Sequence, residues 1–358
     1  MLALTIAAFV SLSLSGPGQP SVVLQNAADA NVAMPLAGLG MPCGPTYACS
    51  IDAYQATKTF LALGGRRTDS ADSYAGAEPG IGRAMREWMV GGGSPRSDLF
   101  IVSKAGPGGA CFPMGYNESI QQARTIIDYY NQVSVQGSAN ITQLDLLLVH
   151  WPVNYGPCGP LPKGATIPTT DVLCDNALPT YDEAGCRLST WRGMLQAHRM
   201  GLTRAVGVSN FNSSEMQALA DAGLPLPAVN QVNWQPGFLD VSKPAVNPYP
   251  VAGAGGETWG GLLVWCQEHG VLLNGYSPFG GRGSTKWFNQ TDIVAVAAAH
   301  NISTAQAILR WNVQLGVAVN PMATNPAYQA ENLDLFNFGN LTEVEMWRIG
   351  VAATVPTE

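Results

Sequence analysis

Asp69 and Tyr74 lie five residues apart in the stretch 64–82, GGRRTDSADSYAGAEPGIG, which ends a short polar strand and turns into a helical pattern at residues 83–90. Neither is a good core residue and neither caps the helix that follows, so packing alone gives no reason for their presence. Further on, the apolar run 99–103 delivers Lys104, and the run 144–149, fully apolar after Asp145, delivers His150 followed by Trp151-Pro152. An acid, a phenol, an amine and an imidazole each standing where a strand gives out are acid–base groups. Strand ends converge in this way at the C-terminal face of a (β/α)8 barrel.

The elements that must position these groups follow from that arrangement. A chain of 358 residues with 46% hydrophobic composition can bury a large core, and as an α/β barrel of the TIM type it forms one domain, expected over residues 34–358. MPLAGLG, residues 34–40, reads as the first buried strand and residues 51–63 as the first helix; residues 204–208, 271–275 and 317–320 supply later strands. Helical spacing is expected over residues 189–200, 303–315 and 342–349. The other three histidines, His198, His269 and His300, stand at the ends of helical patterns, where imidazole meets a helix C-terminus favourably. His150 alone ends a strand.

The motifs GRRTDSADSY, LFIVSK, LDLLLVHWP, GLTRAVGVSNF, PAVNQVNW and GYSPFG resemble, in order, the strand-end motifs of the aldo-keto reductase family, over about residues 34 to 337. The resemblance implies a catalytic tetrad of Asp69, Tyr74, Lys104 and His150. In that reading Tyr74 donates a proton to a carbonyl oxygen accepting hydride, and Lys104 lowers the phenol pKa. Asp69 holds Lys104 in place and ionised, and His150 donates a hydrogen bond that orients the substrate. It further implies nicotinamide contacts at Ser209, Asn210, Gln231, Tyr276 and Ser277, adenine contacts at Glu331 and Asn332, and Trp151 beside the substrate. The chain departs from the family pattern at Met41-Pro42, where a threonine and a tryptophan are usual, and by one inserted residue before Glu78.

The implied cofactor is NADPH or NADH. Family members grip the adenosine 2'-phosphate with a lysine, a serine and an arginine; this chain carries Met322, Ala323 and Tyr328 instead, which match a phosphate dianion poorly. Arg282 and Arg204 are the candidate replacement cations. The implied partner is a small carbonyl compound and the expected state a monomer. A net charge of -7 with 18 Lys plus Arg argues against a nucleic-acid surface, and no cysteine or histidine spacing points to a metal. The alternative is a barrel that keeps the fold but serves as a binding or regulatory protein.

Residues 1–15 read as a signal peptide, with 16–33 as an N-terminal extension; the alternative is a buried strand or helix over the barrel bottom. Six N-x-S/T sequons, at Asn117, Asn140, Asn212, Asn289, Asn301 and Asn340, agree with export to a secretory or extracellular location as a glycoprotein. The seven cysteines agree too. On a barrel, Cys43, Cys49, Cys111, Cys158, Cys174 and Cys186 fall in loops on one face, as disulfides in an oxidising compartment would; their pairing stays open, and free thiols in a cytosolic protein are the alternative. Cys266 reads as a core residue. Residues 152–188, rich in Gly, Pro and Cys, are expected to wall the pocket.

Overall fold

The computed structural model describes residues 12–13, 19–27, 29, 31–41, 49–74, 76–106, 114–152, 169–175, 178–239, 257–281 and 286–352. The expected signal peptide lies almost wholly outside them, as do Pro42, Cys43, Cys111, Cys158 and Arg282.

Eight parallel strands form the barrel: β4 (Leu39–Gly40), β5 (Arg67–Asp69), β6 (Phe100–Ala105), β7 (Leu144–Val149), β8 (Thr203–Ser209), β9 (Val229–Asn233), β10 (Leu272–Tyr276) and β11 (Ala318–Asn320). Each pairs with its neighbour in chain order. The ring is nearly closed by a parallel bridge from Ala37 to Val319, supported by Gly38 N–H donating to the Val319 carbonyl and Val319 N–H donating to that of Leu36. Strands of a parallel barrel are covered on both faces, so all six residues of β7 are buried, Asp145 among them.

MPLAGLG is two pieces rather than one strand. Ala33–Pro35 is β3 of a separate antiparallel sheet with β1 (Leu12–Ser13) and β2 (Ser21–Val23), and only Leu39–Gly40 joins the barrel. The expected N-terminal extension thus supplies β2, which pairs with β3; Val22, Leu24, Val32 and Met34 pack with inward residues such as Phe100 and Leu146.

The helices pack outside. They include α1 (Cys49–Ala62), α2 (Ala77–Val90), α3 (Tyr116–Tyr130), α4 (Glu183–Arg199), α5 (Ser213–Asp221), α6 (Trp259–Glu268), α7 (Thr291–Ala299), α8 (Thr304–Gln314), α9 (Pro326–Leu333) and α10 (Glu343–Gly350). Helix α4 begins six residues before the expected position because Asp182 caps it, its side chain accepting from Ala184 N–H. Cys186 therefore lies in the first turn of α4, not in a loop, and is joined to Cys174 by a disulfide. Cys266 is buried and free. His198, His269 and His300 occupy helix ends as their positions suggest. Among the described residues, no helix is long and apolar enough to cross a membrane.

Candidate active site

The C-terminal ends of β5, β6 and β7 bring Asp69, Lys104 and His150 together, and the turn after β5 adds Tyr74. Lys104 Nζ donates to Asp69 Oδ1 at 2.5 Å and to the Ser70 carbonyl at 2.8 Å; both side chains are buried. Gln231, inside β9 rather than after it, reaches across the barrel and donates to Asp69 Oδ2 at 2.6 Å. Two charges taken out of water are tolerable only when matched in this manner. Burial pulls Lys104 down, but the attraction of Asp69 and Tyr74 outweighs it and holds the ammonium above its ordinary pKa.

That ammonium sits 5.0 Å from the centroid of the Tyr74 ring, and the ring meets His150 edge-on at 5.8 Å. Tyr74 is half-buried. Its phenol differs from the sequence expectation: burial pushes its pKa up by more than the Lys104 charge pulls it down. Tyr74 thus keeps its proton at neutral pH. His150 is buried, and burial together with Lys104 holds it well below 6.5, so it is neutral. Ser73 Oγ lies 3.3 Å from His150 Nδ1. A Ser73 hydroxyl donating to Nδ1 leaves the ring proton on Nε2. Nothing in the spacing around Ser73 marks it as a partner of a histidine far along the chain.

Four of the residues expected around a nicotinamide, Ser209, Asn210, Gln231 and Tyr276, form one hydrogen-bonded group. Asn210 Nδ2 donates to the His150 carbonyl and to Ser209 Oγ, each at 3.1 Å, while its Oδ1 accepts from the Tyr276 hydroxyl at 2.8 Å. Ser209 Oγ donates to the Gln231 carbonyl at 2.8 Å. Asn210 and Ser277 have φ of 65° and 52°. Left-handed backbone at two non-glycine strand ends is the strain that clusters at functional sites. Trp151 is buried, its ring tilted against His150 at 6.4 Å.

At the far side, Met322 and Tyr328 are exposed, Ala323 is buried, and Glu331 and Asn332 lie in the last turn of α9. Arg204 cannot supply the missing cation. It stands at the opposite end of β8, where its guanidinium pairs with Asp145 at 2.9 Å; Arg96 binds the same carboxylate at 2.7 Å. Met41 is buried. No group of three or more His, Cys, Asp or Glu that could hold a metal comes together among the described residues.

Behind the pair lies a residue that the sequence marked only by the insertion before it. Glu78, in the first turn of α2, accepts from Ser70 Oγ at 2.9 Å and Ser103 Oγ at 3.3 Å, so one buried carboxylate ties the neighbour of Asp69 to the neighbour of Lys104. Burial first, and Asp72 after it, push its pKa up to about 7 against the pull of Ser70, Ser103 and backbone hydrogen bonding.

An eight-stranded parallel barrel with a buried Lys–Asp pair under a tyrosine at its C-terminal mouth has its polar cluster where barrel enzymes carry their sites. A profile of the Aldo/keto reductase family matches residues 44–352, and the chain belongs to that family of oxidoreductases. Among its relatives, aldose reductase B of Dictyostelium discoideum is 28% identical over 305 residues, covering 85% of each chain. An aldo-keto reductase of Mycolicibacterium vanbaalenii is 27% identical over 319 residues, covering 89% of this chain and 87% of the relative. The crystal structure of a Bombyx mori aldo-keto reductase in complex with NADP superposes with a TM-score of 0.70 at 25% identity, covering 93% and 92% of the two chains.

Proposed function

We propose that this protein reduces aldehydes or ketones to alcohols with NADPH or NADH, Tyr74 being the proton donor. The observation that carries this reading is the buried Lys104–Asp69 pair beside a phenol that keeps its proton. The relatives' names, aldose reductase among them, support carbonyl reduction, and the Bombyx structure with NADP supports a nicotinamide cofactor.

The bound cofactor supplies a hydride to the carbonyl carbon. Everything else falls to the chain. His150, neutral and carrying its proton on Nε2, donates to the carbonyl oxygen and sets its direction. Tyr74 gives that oxygen its proton as negative charge develops there. Lys104 offsets the phenolate this leaves, and Asp69 with Gln231 keeps the ammonium fixed so that little reorganisation accompanies the step. Ser209, Asn210, Gln231, Tyr276 and Ser277 would hold the nicotinamide end, and Glu331 and Asn332 the adenine. The uncharged Met322, Ala323 and Tyr328 deprive NADPH of its usual advantage over NADH.

Tyr74→Phe tests the assignment. Turnover of a small aldehyde is expected to fall at least about a hundredfold, with the Kd for either cofactor, read from quenching of tryptophan fluorescence, unchanged. Unaltered turnover refutes the role of Tyr74, and a wild-type protein that binds neither cofactor refutes the whole reading.

A further inference from the structure

Asn320, the last residue of β11, is buried, and neither its Oδ1 nor its Nδ2 has a hydrogen-bond partner among the described residues. An amide left with both ends unpaired inside a protein is costly, and one in a ligand site is commonly satisfied by the ligand.

Its direction follows from strand register. Gln231 points into the barrel, since it reaches Asp69 on the other side. Gln231 pairs with Asn274 and Asn274 with Ala318, so that row faces inward; two residues further, Asn233, Tyr276 and Asn320 form the next inward row, at the mouth. On the other flank of Asn320 stands Gly40. A Cβ there would come 2.7 Å from the Asn320 backbone carbonyl oxygen and 3.6 Å from Asn320 Cβ, so this flank of the strand end admits only glycine.

The row also places Asn320 along the expected cofactor. One strand away is Tyr276, at the nicotinamide end. One to three residues on in the chain are Pro321, Met322 and Ala323, leading to the adenosine end at α9. What joins the two ends of a dinucleotide is a diphosphate with its two riboses, which offer both acceptor oxygens and donor hydroxyls. We infer that Asn320 is a cofactor-binding residue that hydrogen-bonds the ribose–diphosphate bridge of the nicotinamide dinucleotide. The inference rests on the cofactor reading above and assigns a contact common to NADH and NADPH.

Asn320→Leu keeps the branched shape and the number of side-chain heavy atoms and removes both polar ends. Its Kd for NADH and for NADPH, measured by tryptophan fluorescence, is expected to rise about tenfold, the scale of one lost hydrogen bond in a desolvated site. The two cofactors are expected to suffer by the same factor, and the cofactor-free variant is expected to melt no lower than wild type, because the amide is unpaired there. Should Asn320→Leu not fold, Asn320→Ala, which only removes atoms, carries the same expectation for Kd. Unchanged Kd with a raised melting temperature overturns the inference and leaves Asn320 a buried amide without a ligand. Loss confined to NADPH also overturns it, by moving the contact to the 2'-phosphate. If wild type binds neither cofactor, the parent reading has failed and this one falls with it; if wild type binds and the variant binds equally well, this one alone has failed.

Discussion

Replacing Glu78 with glutamine should change how stability depends on pH. In the folded protein the Glu78 carboxyl titrates near about 7, against an ordinary value of 4.5, chiefly because it is buried. Between those values the native state holds a proton that the unfolded chain has released. Glu78 therefore contributes stability that is fully present below 4.5 and is lost as pH rises through about 7. The gap corresponds to about 3 kcal/mol, of which about 2.5 kcal/mol falls between pH 5 and pH 8. Glutamine can still accept from Ser70 and Ser103 through Oε1, and it does not titrate. Asp72, Tyr74, Tyr129 and Tyr130 interact with the Glu78 charge, but each is present in both proteins and largely cancels in the comparison. Equilibrium urea unfolding of wild type and Glu78→Gln at pH 5 and pH 8 reads the effect directly. The variant is expected to gain on wild type by about 2 to 3 kcal/mol on going to pH 8. A difference that stays constant across that interval refutes the reasoning.

Two further outcomes are expected. Lys104→Met leaves the Asp69 carboxylate buried with Gln231 as its remaining side-chain partner, and should lower stability by about 3–5 kcal/mol in urea unfolding as well as abolish turnover; a loss under about 1 kcal/mol would mean the pair is not desolvated as described. Cys186→Ser opens the disulfide to Cys174, separated by 12 residues in the chain, and should cost about 3 kcal/mol by loop-closure entropy; identical melting with and without reductant counts against it.

The meeting of Asp69, Tyr74, Lys104 and His150 was legible because the strands that carry them are. The strand Leu144–Val149 is apolar enough to be read to the residue, and His150 is conspicuous at its end. MPLAGLG misled because hydrophobicity is the same for a residue in a bottom sheet as for one in a barrel strand; pairing partners, which distinguish Ala33–Pro35 from Leu39–Gly40, are not local. Arg204 opens its strand, at the end away from the site, so the barrel fold already argued against it; what the sequence does not show is its pairing with Asp145. The Tyr74 phenol was expected to be lowered by a charge correctly placed, while the burial that outweighs it depends on the whole mouth of the barrel. Ser73, Glu78 and Asn320 act through distant or missing partners, and no spacing announces them.

Five of the six sequons, at Asn117, Asn140, Asn289, Asn301 and Asn340, are exposed, whereas Asn212 is the cap of α5 and is half-buried.

The seam of the barrel has a consequence for local motion. Strands β4 and β11 are two and three residues long, and the ring closes between them through a single bridge and a few backbone hydrogen bonds, including Gly40 N–H to the Pro321 carbonyl at 3.2 Å. The amides of Gly38, Gly40 and Val319 have few neighbours in the ladder to break before they open. Their deuterium uptake should precede that of Leu146 and Leu147, deep in β7. Because Asn320 and the residues leading to α9 continue from the same seam, the part of the ring that breathes most readily is also the part on which the adenosine half of a dinucleotide would rest.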